Sequence, residues 1–135
     1  MNVTERIKQH EGWRSKPYRC PAGKLTIGYG FNIEQGISLG FGEIWLEYLI
    51  EQCRDELTTV FTDAELMAMG EERVDALTDM VYNLGIGRFK RFKRMIRSLK
   101  NQRWQQAAKE ALKSKWATQV GKRANRIAET LKTGD

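Results

Sequence analysis

Glu11, Cys20 and Thr26 fall within one stretch, EGWRSKPYRCPAGKLTIGYG, which sets a carboxylic acid, a thiol and a hydroxyl among Gly12, Gly23, Gly28 and Gly30. A carboxylic acid can serve as an acid catalyst, and a thiol can serve as a nucleophile. Cys20 as a covalent nucleophile would require a histidine base, and the single histidine, His10, has no neighbour to support that role. Cys20 and Cys53 are too few for a disulfide framework, and with His10 they fall short of a zinc quartet. Free thiols, no metal and no cofactor are therefore expected.

The elements that must position these residues follow from caps and periodicity. Asn2, with Glu5 three residues on, opens a helix over residues 3–11, with Val3 and Ile7 on its inner stripe and Gly12 as its stop. Glu11 then lies in the last turn, where the helix dipole disfavours negative charge. A cation such as Arg123 nearby would act in the opposite sense, and the sequence leaves that balance open. From Trp13 to Ile33 the prolines and glycines break the helical period, while Tyr18, Leu25, Thr26, Ile27 and Tyr29 favour strands. Two or three short antiparallel strands are predicted, turning at Pro21–Gly23, with loop over 32–42.

Leu46, Leu49, Ile50, Cys53 and Leu57 then share one face of a helix over 43–60, roughly 25 Å long, on which Cys53 reads as a small buried hydrophobe. Core spacing recurs at Val74, Leu77, Val81 and Leu84, and again at Phe89, Phe92, Ile96 and Leu99. These predict helices over 71–84 and 88–99, and two more over 104–113 and 122–131 complete a bundle. The fold class is α+β, mostly helical, with one small antiparallel sheet.

The chain of 135 residues suffices for one compact folding unit and contains no apolar run of about 18 residues that could span a bilayer. Its net charge of +6 favours an anionic partner. The run RFKRFKRMIRSLKNQRW, residues 88–104, contains no acid. It reads either as the solvated face of an amphipathic helix burying Phe89 and Phe92, or as a surface for an anionic wall polymer or membrane through residues 88–103. No specific nucleic-acid recognition is expected, because nothing in 105–131 fixes a helix-turn-helix turn. Trp116, Arg123 and Arg126 suit packing or binding equally, and composition does not choose between them.

Spacing joins these residues into a pattern. Glutamate, eight residues, Asp or Cys, five residues, threonine, then Ile-Gly-x-Gly resembles the signature of the phage-type lysozymes, glycoside hydrolase family 24. Here it is Glu11, Cys20, Thr26, Ile27, Gly28 and Gly30. Asp79-Met80-Val81-Tyr82-Asn83-Leu84-Gly85, Arg103-Trp104, Ser114-Lys115-Trp116 and Arg123-Ala124-Asn125-Arg126 resemble the helical lobe of the same family. The resemblance implies a lysozyme-like fold: a sheet lobe with its connecting helix over 12–60, and a helical lobe over 61–135 into which helix 1–11 packs, with a cleft between the lobes. It implies hydrolysis of the β-1,4 bond between N-acetylmuramic acid and N-acetylglucosamine in peptidoglycan. Carried over by position, Glu11 is the general acid and Cys20 and Thr26 flank the water. Tyr82, Asn83, Trp116 and Arg123 are the substrate-binding candidates, with Arg123 paired to Glu11.

Cys20 departs from the members that carry aspartate, and without a fixed carboxylate nucleophile, inversion by direct water attack is expected. The expected protein is a monomeric muramidase, an endolysin of phage host lysis or entry. The N-terminus lacks the pattern of a secretory signal, so it would be made in the host cytoplasm and reach the wall by release or particle delivery. The alternative is a non-catalytic wall-binding or structural module of a phage particle with the same fold.

Overall fold

The structure, a computed structural model, describes residues 1–135. Helix accounts for 65% of it, and its one sheet has three short strands, so the α+β class is met. The chain forms two compact units, Met1–Trp45 and Leu46–Asp135.

In the first unit, α1 (Val3–Glu11) opens with the expected capping box: Asn2 accepts from the Glu5 N–H at 2.9 Å, and Glu5 accepts from the Asn2 N–H at 3.1 Å. Gly12 ends it, its N–H reaching Lys8 O. Val3 and Ile7, expected as an inner stripe, are exposed. Local caps and contacts at its C-terminus hold this short helix, rather than an apolar face. Strands β1 (Arg14–Arg19), β2 (Leu25–Gly28) and β3 (Phe31–Asn32) form an antiparallel sheet in the order β1-β2-β3. Pro17 lies on edge strand β1, where a missing N–H is tolerated, and the β1–β2 register slips between Arg14 and Tyr18. Only Thr26 and Gly28 are buried in this unit.

Helix α2 (Leu39–Leu57) starts four residues before the expected Glu43. Ser38 Oγ accepts from the Phe41 N–H at 3.2 Å and so caps a first turn whose Gly40 and Gly42 hide the helical signal. It ends before Val60, because the Thr58 and Thr59 hydroxyls donate to the Asp55 and Glu56 carbonyls in a closing turn. Cys53 and Leu57 are its buried residues, and burial pushes the Cys53 thiol up.

The second unit continues with α3 (Asp63–Met69), α4 (Glu71–Leu84), α5 (Ile86–Phe89), α6 (Lys93–Lys100), α7 (Trp104–Leu112), α8 (Lys115–Val120) and α9 (Lys122–Thr133). The single helix expected over 88–99 is broken at Lys90–Phe92. The buried Phe89 meets Phe61 edge-on, with ring centroids 6.4 Å apart, whereas Phe92 meets Trp116 at 6.1 Å, so the two rings pull towards different neighbours. Helices α3 and α8 were not expected, yet both carry side-chain caps. Thr62 and Glu65 make a capping box for α3, and Ser114 Oγ accepts from the Ala117 N–H for α8. Ala107, Ala108 and Ala111 of α7 and Ala124 and Ala128 of α9 are buried, and their small side chains let these two helices pack closely.

Arg73 of α4 ties three elements together. Its guanidinium donates to Leu131 O at 2.8 Å, Lys132 O at 3.4 Å and Met69 O at 3.2 Å, and it lies over the Trp104 ring at 4.1 Å. These carbonyls are at the C-terminal ends of α9 and α3, where unpaired acceptors and the helix dipoles favour a cation. Arg73→Ala is expected to cost about 1.5–3 kcal/mol, the range for charged hydrogen bonds. Arg73→Lys should recover only part of this, since one ammonium cannot reach all three carbonyls and stack as well. Chemical denaturation monitored by circular dichroism measures both.

Candidate active site

Glu11 is the last residue of α1, and the turn after it delivers the chain into β1. Its carboxylate packs against the α-carbon of Gly30, in the turn between β2 and β3. A methyl group built on Gly30 would meet Glu11 Cδ at 2.7 Å and the carboxylate oxygen Oε2 closer still. At Gly28 a methyl group would strike the Phe31 ring at 2.5 Å. Both glycines have positive φ, 68° and 72°. The Gly-x-Gly pair is thus required twice over, by backbone conformation and by close approach.

Tyr29, between the two glycines, lies 5.0 Å from the Trp13 ring and 6.3 Å from Phe31, with Lys8 Nζ 5.5 Å from its centroid. These contacts fasten both the helix end and the start of β1 to the turn, and so orient Glu11. Periodicity does not reveal the role of Lys8 and Tyr29, because their partnership crosses from a helix to a turn.

Cys20 and Thr26 come together on the β1–β2 hairpin, where Tyr18 pairs with Thr26 and Arg19 with Leu25. The Cys20 N–H donates to Lys24 O at 2.9 Å and the Gly23 N–H to Cys20 O at 2.8 Å, closing the turn. The Lys24 N–H at the sulfur holds the thiol below its ordinary range, aided by the Ala22 N–H and the Thr26 hydroxyl and opposed by partial burial. Thr26 is buried at 3% exposure, and its hydroxyl donates to Lys24 O at 2.8 Å. That hydroxyl has a single proton, which can serve the Lys24 carbonyl or a Cys20 thiolate. No protein group donates to its oxygen, so its lone pairs are uncommitted in either case. A salt bridge from Arg19 to Glu34 braces the outer side of the hairpin, and Glu34 also accepts from the Leu25 N–H at 3.0 Å.

The other predicted residues lie in the second unit. Tyr82 is exposed on α4 and, with Leu46, Ile50, Asp75, Asp79 and Arg123, lines a cavity of about 320 Å³. Arg123 Nε donates to Asp79 Oδ1 at 2.9 Å, and Nη2 reaches the same oxygen. Asp79, a partner the sequence reading did not assign, thus occupies this guanidinium within its own unit. Asn83 is exposed and accepts from the Trp116 indole N–H at 2.7 Å. Trp116, for which packing and binding were equally open, is only 5% exposed: its ring packs in the core against Phe92, and its N–H bonds Asn83.

The Phage lysozyme family matches residues 8–130. Among known proteins, the chain is 32% identical to "Probable T4-type lysozyme 1" of Dictyostelium discoideum, covering 98% of this chain and 95% of that one. It is 27% identical to an "Endolysin" of Acyrthosiphon pisum secondary endosymbiont phage 1, over 66% of this chain and 64% of that one. It is 24% identical to the pre-baseplate central spike protein Gp5 of Enterobacteria phage T4, over 100% of this chain but 28% of the spike protein. The chain belongs to the phage lysozyme family, and so to the glycoside hydrolases that act on peptidoglycan.

Gly30→Ala tests the close approach to Glu11. The substitution forces a side chain into positive φ, at a cost of about 1–3 kcal/mol, and displaces the carboxylate as well. Clearing of bacterial cells should fall at least about tenfold below wild type at a temperature where circular dichroism shows the variant folded, in keeping with the sensitivity of catalysis to misplacement of about 1 Å.

Proposed function

We propose that this lysozyme is a muramidase: it cleaves the β-1,4 bond between N-acetylmuramic acid and N-acetylglucosamine, with Glu11 as general acid and Cys20 and Thr26 as the water site. The observation that carries the reading is that Glu11 seated against Gly30 and the Cys20–Thr26 hairpin belong to one small unit. Glu11 passes its proton to the glycosidic oxygen as the C1–O bond breaks, and the bonding electrons leave with that oxygen. Water then attacks the oxocarbenium-like C1 from the opposite face. Its proton goes to the Cys20 thiolate, while Thr26 Oγ1 accepts a hydrogen bond from the same water. Proton exchange with solvent restores both groups. Attack is direct and the configuration inverts. The saccharide is bound with help from Tyr82, Asn83 and Arg123.

A second reading, a non-catalytic module of a phage particle, draws support from the match to part of a baseplate spike protein.

Glu11→Gln keeps the shape of the side chain but removes the acid. Turbidity clearing of outer-membrane-stripped Gram-negative cells should drop at least about a hundredfold, the scale of general acid catalysis. Equal clearing by both proteins rejects Glu11 as the acid, and no clearing by either favours the module. Because the Cys20 thiol is lowered, its active thiolate should form as pH rises through a value below the ordinary thiol range. Activity of the wild type should therefore fall as pH drops through that value. Cys20→Ala should lack this limb, and Cys20→Asp should move it to lower pH. Proton NMR of the first-formed reducing end should show the α configuration, and a retained β configuration would refute inversion.

A further inference from the structure

The positive charge of this protein resides in one place. Residues 88–103 contain eight Lys and Arg and no acid, so the other 15 cations face all 17 acids and the remainder of the chain is net negative. Of the eight, only Lys100 forms an ion pair, with Glu65 at 3.7 Å. On α6, Lys93, Arg97 and Lys100 stand at i, i+4 and i+7 on one face, along about 10 Å of axis, opposite the buried Met95 and Leu99. Beside them the turn before α6 opens a concave cavity of about 400 Å³, where Arg91, Lys93, Arg94 and Lys113 gather. The acid there, Glu110, is already engaged by Lys113 and Gln106.

We infer that this face is an electrostatic landing surface for phosphate-bearing anionic lipid bilayers, which the protein contacts without insertion. A one-sided row of cations, of which only Lys100 has an acid partner, matches a planar array of headgroup phosphates. The apolar residues that insertion would need are committed elsewhere: Phe89, Met95 and Leu99 are buried, and Phe92 packs on Trp116. The same burial argues against single-stranded nucleic acid, which takes exposed aromatic rings for base stacking. This inference does not depend on the roles of Glu11, Cys20 or Thr26.

Sedimentation of the full chain with vesicles tests it, using phosphatidylcholine containing phosphatidylglycerol against phosphatidylcholine alone. Binding is expected only to the anionic vesicles, weakening steeply with added salt and causing no release of a trapped dye. The triple substitution Lys93→Gln, Arg94→Gln, Arg97→Gln should lower the partition coefficient about a hundredfold, at roughly a factor of five to six per cation. A control triple with the same charge change, Lys16→Gln, Lys109→Gln, Lys122→Gln, should change it much less, with both variants shown folded by circular dichroism. Equal loss in the two triples, dye release, no binding at low salt, or tighter binding to duplex DNA than to vesicles at matched salt would each overturn the proposal. So would displacement by inorganic phosphate at an ionic strength where chloride is ineffective, since that would identify a discrete phosphate site instead of a surface.

Discussion

The contact between the Glu11 carboxylate and the bare α-carbon of Gly30 is the constraint on which the first unit is built. A helix end can hold its last side chain in place only if something outside the helix meets it. Here a turn with no side chain at the contact lets a carboxylate approach the backbone, and the aromatic cluster around Tyr29 keeps helix and turn in register. The sheet is too small to be rigid on its own. Its stiffness comes from the tight hairpin closure at Cys20 and Lys24 and the bracing of Arg19 and Leu25 by Glu34.

That hairpin also prepares the chemistry. Backbone N–H groups of the same turn and the Thr26 hydroxyl surround the sulfur, so the fold lowers the thiol without a neighbouring cation or a histidine. In the proposed mechanism this cysteine thereby does part of what an aspartate would do. Thr26, buried and already satisfied by a carbonyl, costs nothing to hold in place and leaves its lone pairs for water.

The second unit follows a different rule. Its core is contiguous, its helices are short, and the break between α5 and α6 falls where Phe89 and Phe92 have different partners. Arg73 secures two helix ends at once, while alanines set the spacing of α7 and α9. With the apolar stripe of α6 spent on this core, the cations are left on the outside, all but Lys100 without an acid partner, which concentrates the charge of the whole molecule in one patch.

Much of this was legible in the residues. The capping box at Asn2, the hairpin around Pro21–Gly23, the buried face at Cys53 and the glutamate–cysteine–threonine spacing are local patterns, and local patterns survive in a linear text. The box at Thr62 and the cap at Ser114 were equally present but announce helices too short to show a period. The early start of α2 was masked by two glycines that a serine cap overrides. What only the tertiary structure decided is partnership across distance: Arg123 with Asp79, Trp116 with Asn83 and Phe92, and Glu11 with Gly30. A sequence specifies which groups are available to pair and how a short segment turns. Which of several competing partners wins depends on packing and on how the chain satisfies its buried polar groups as a whole, and that is settled only in three dimensions.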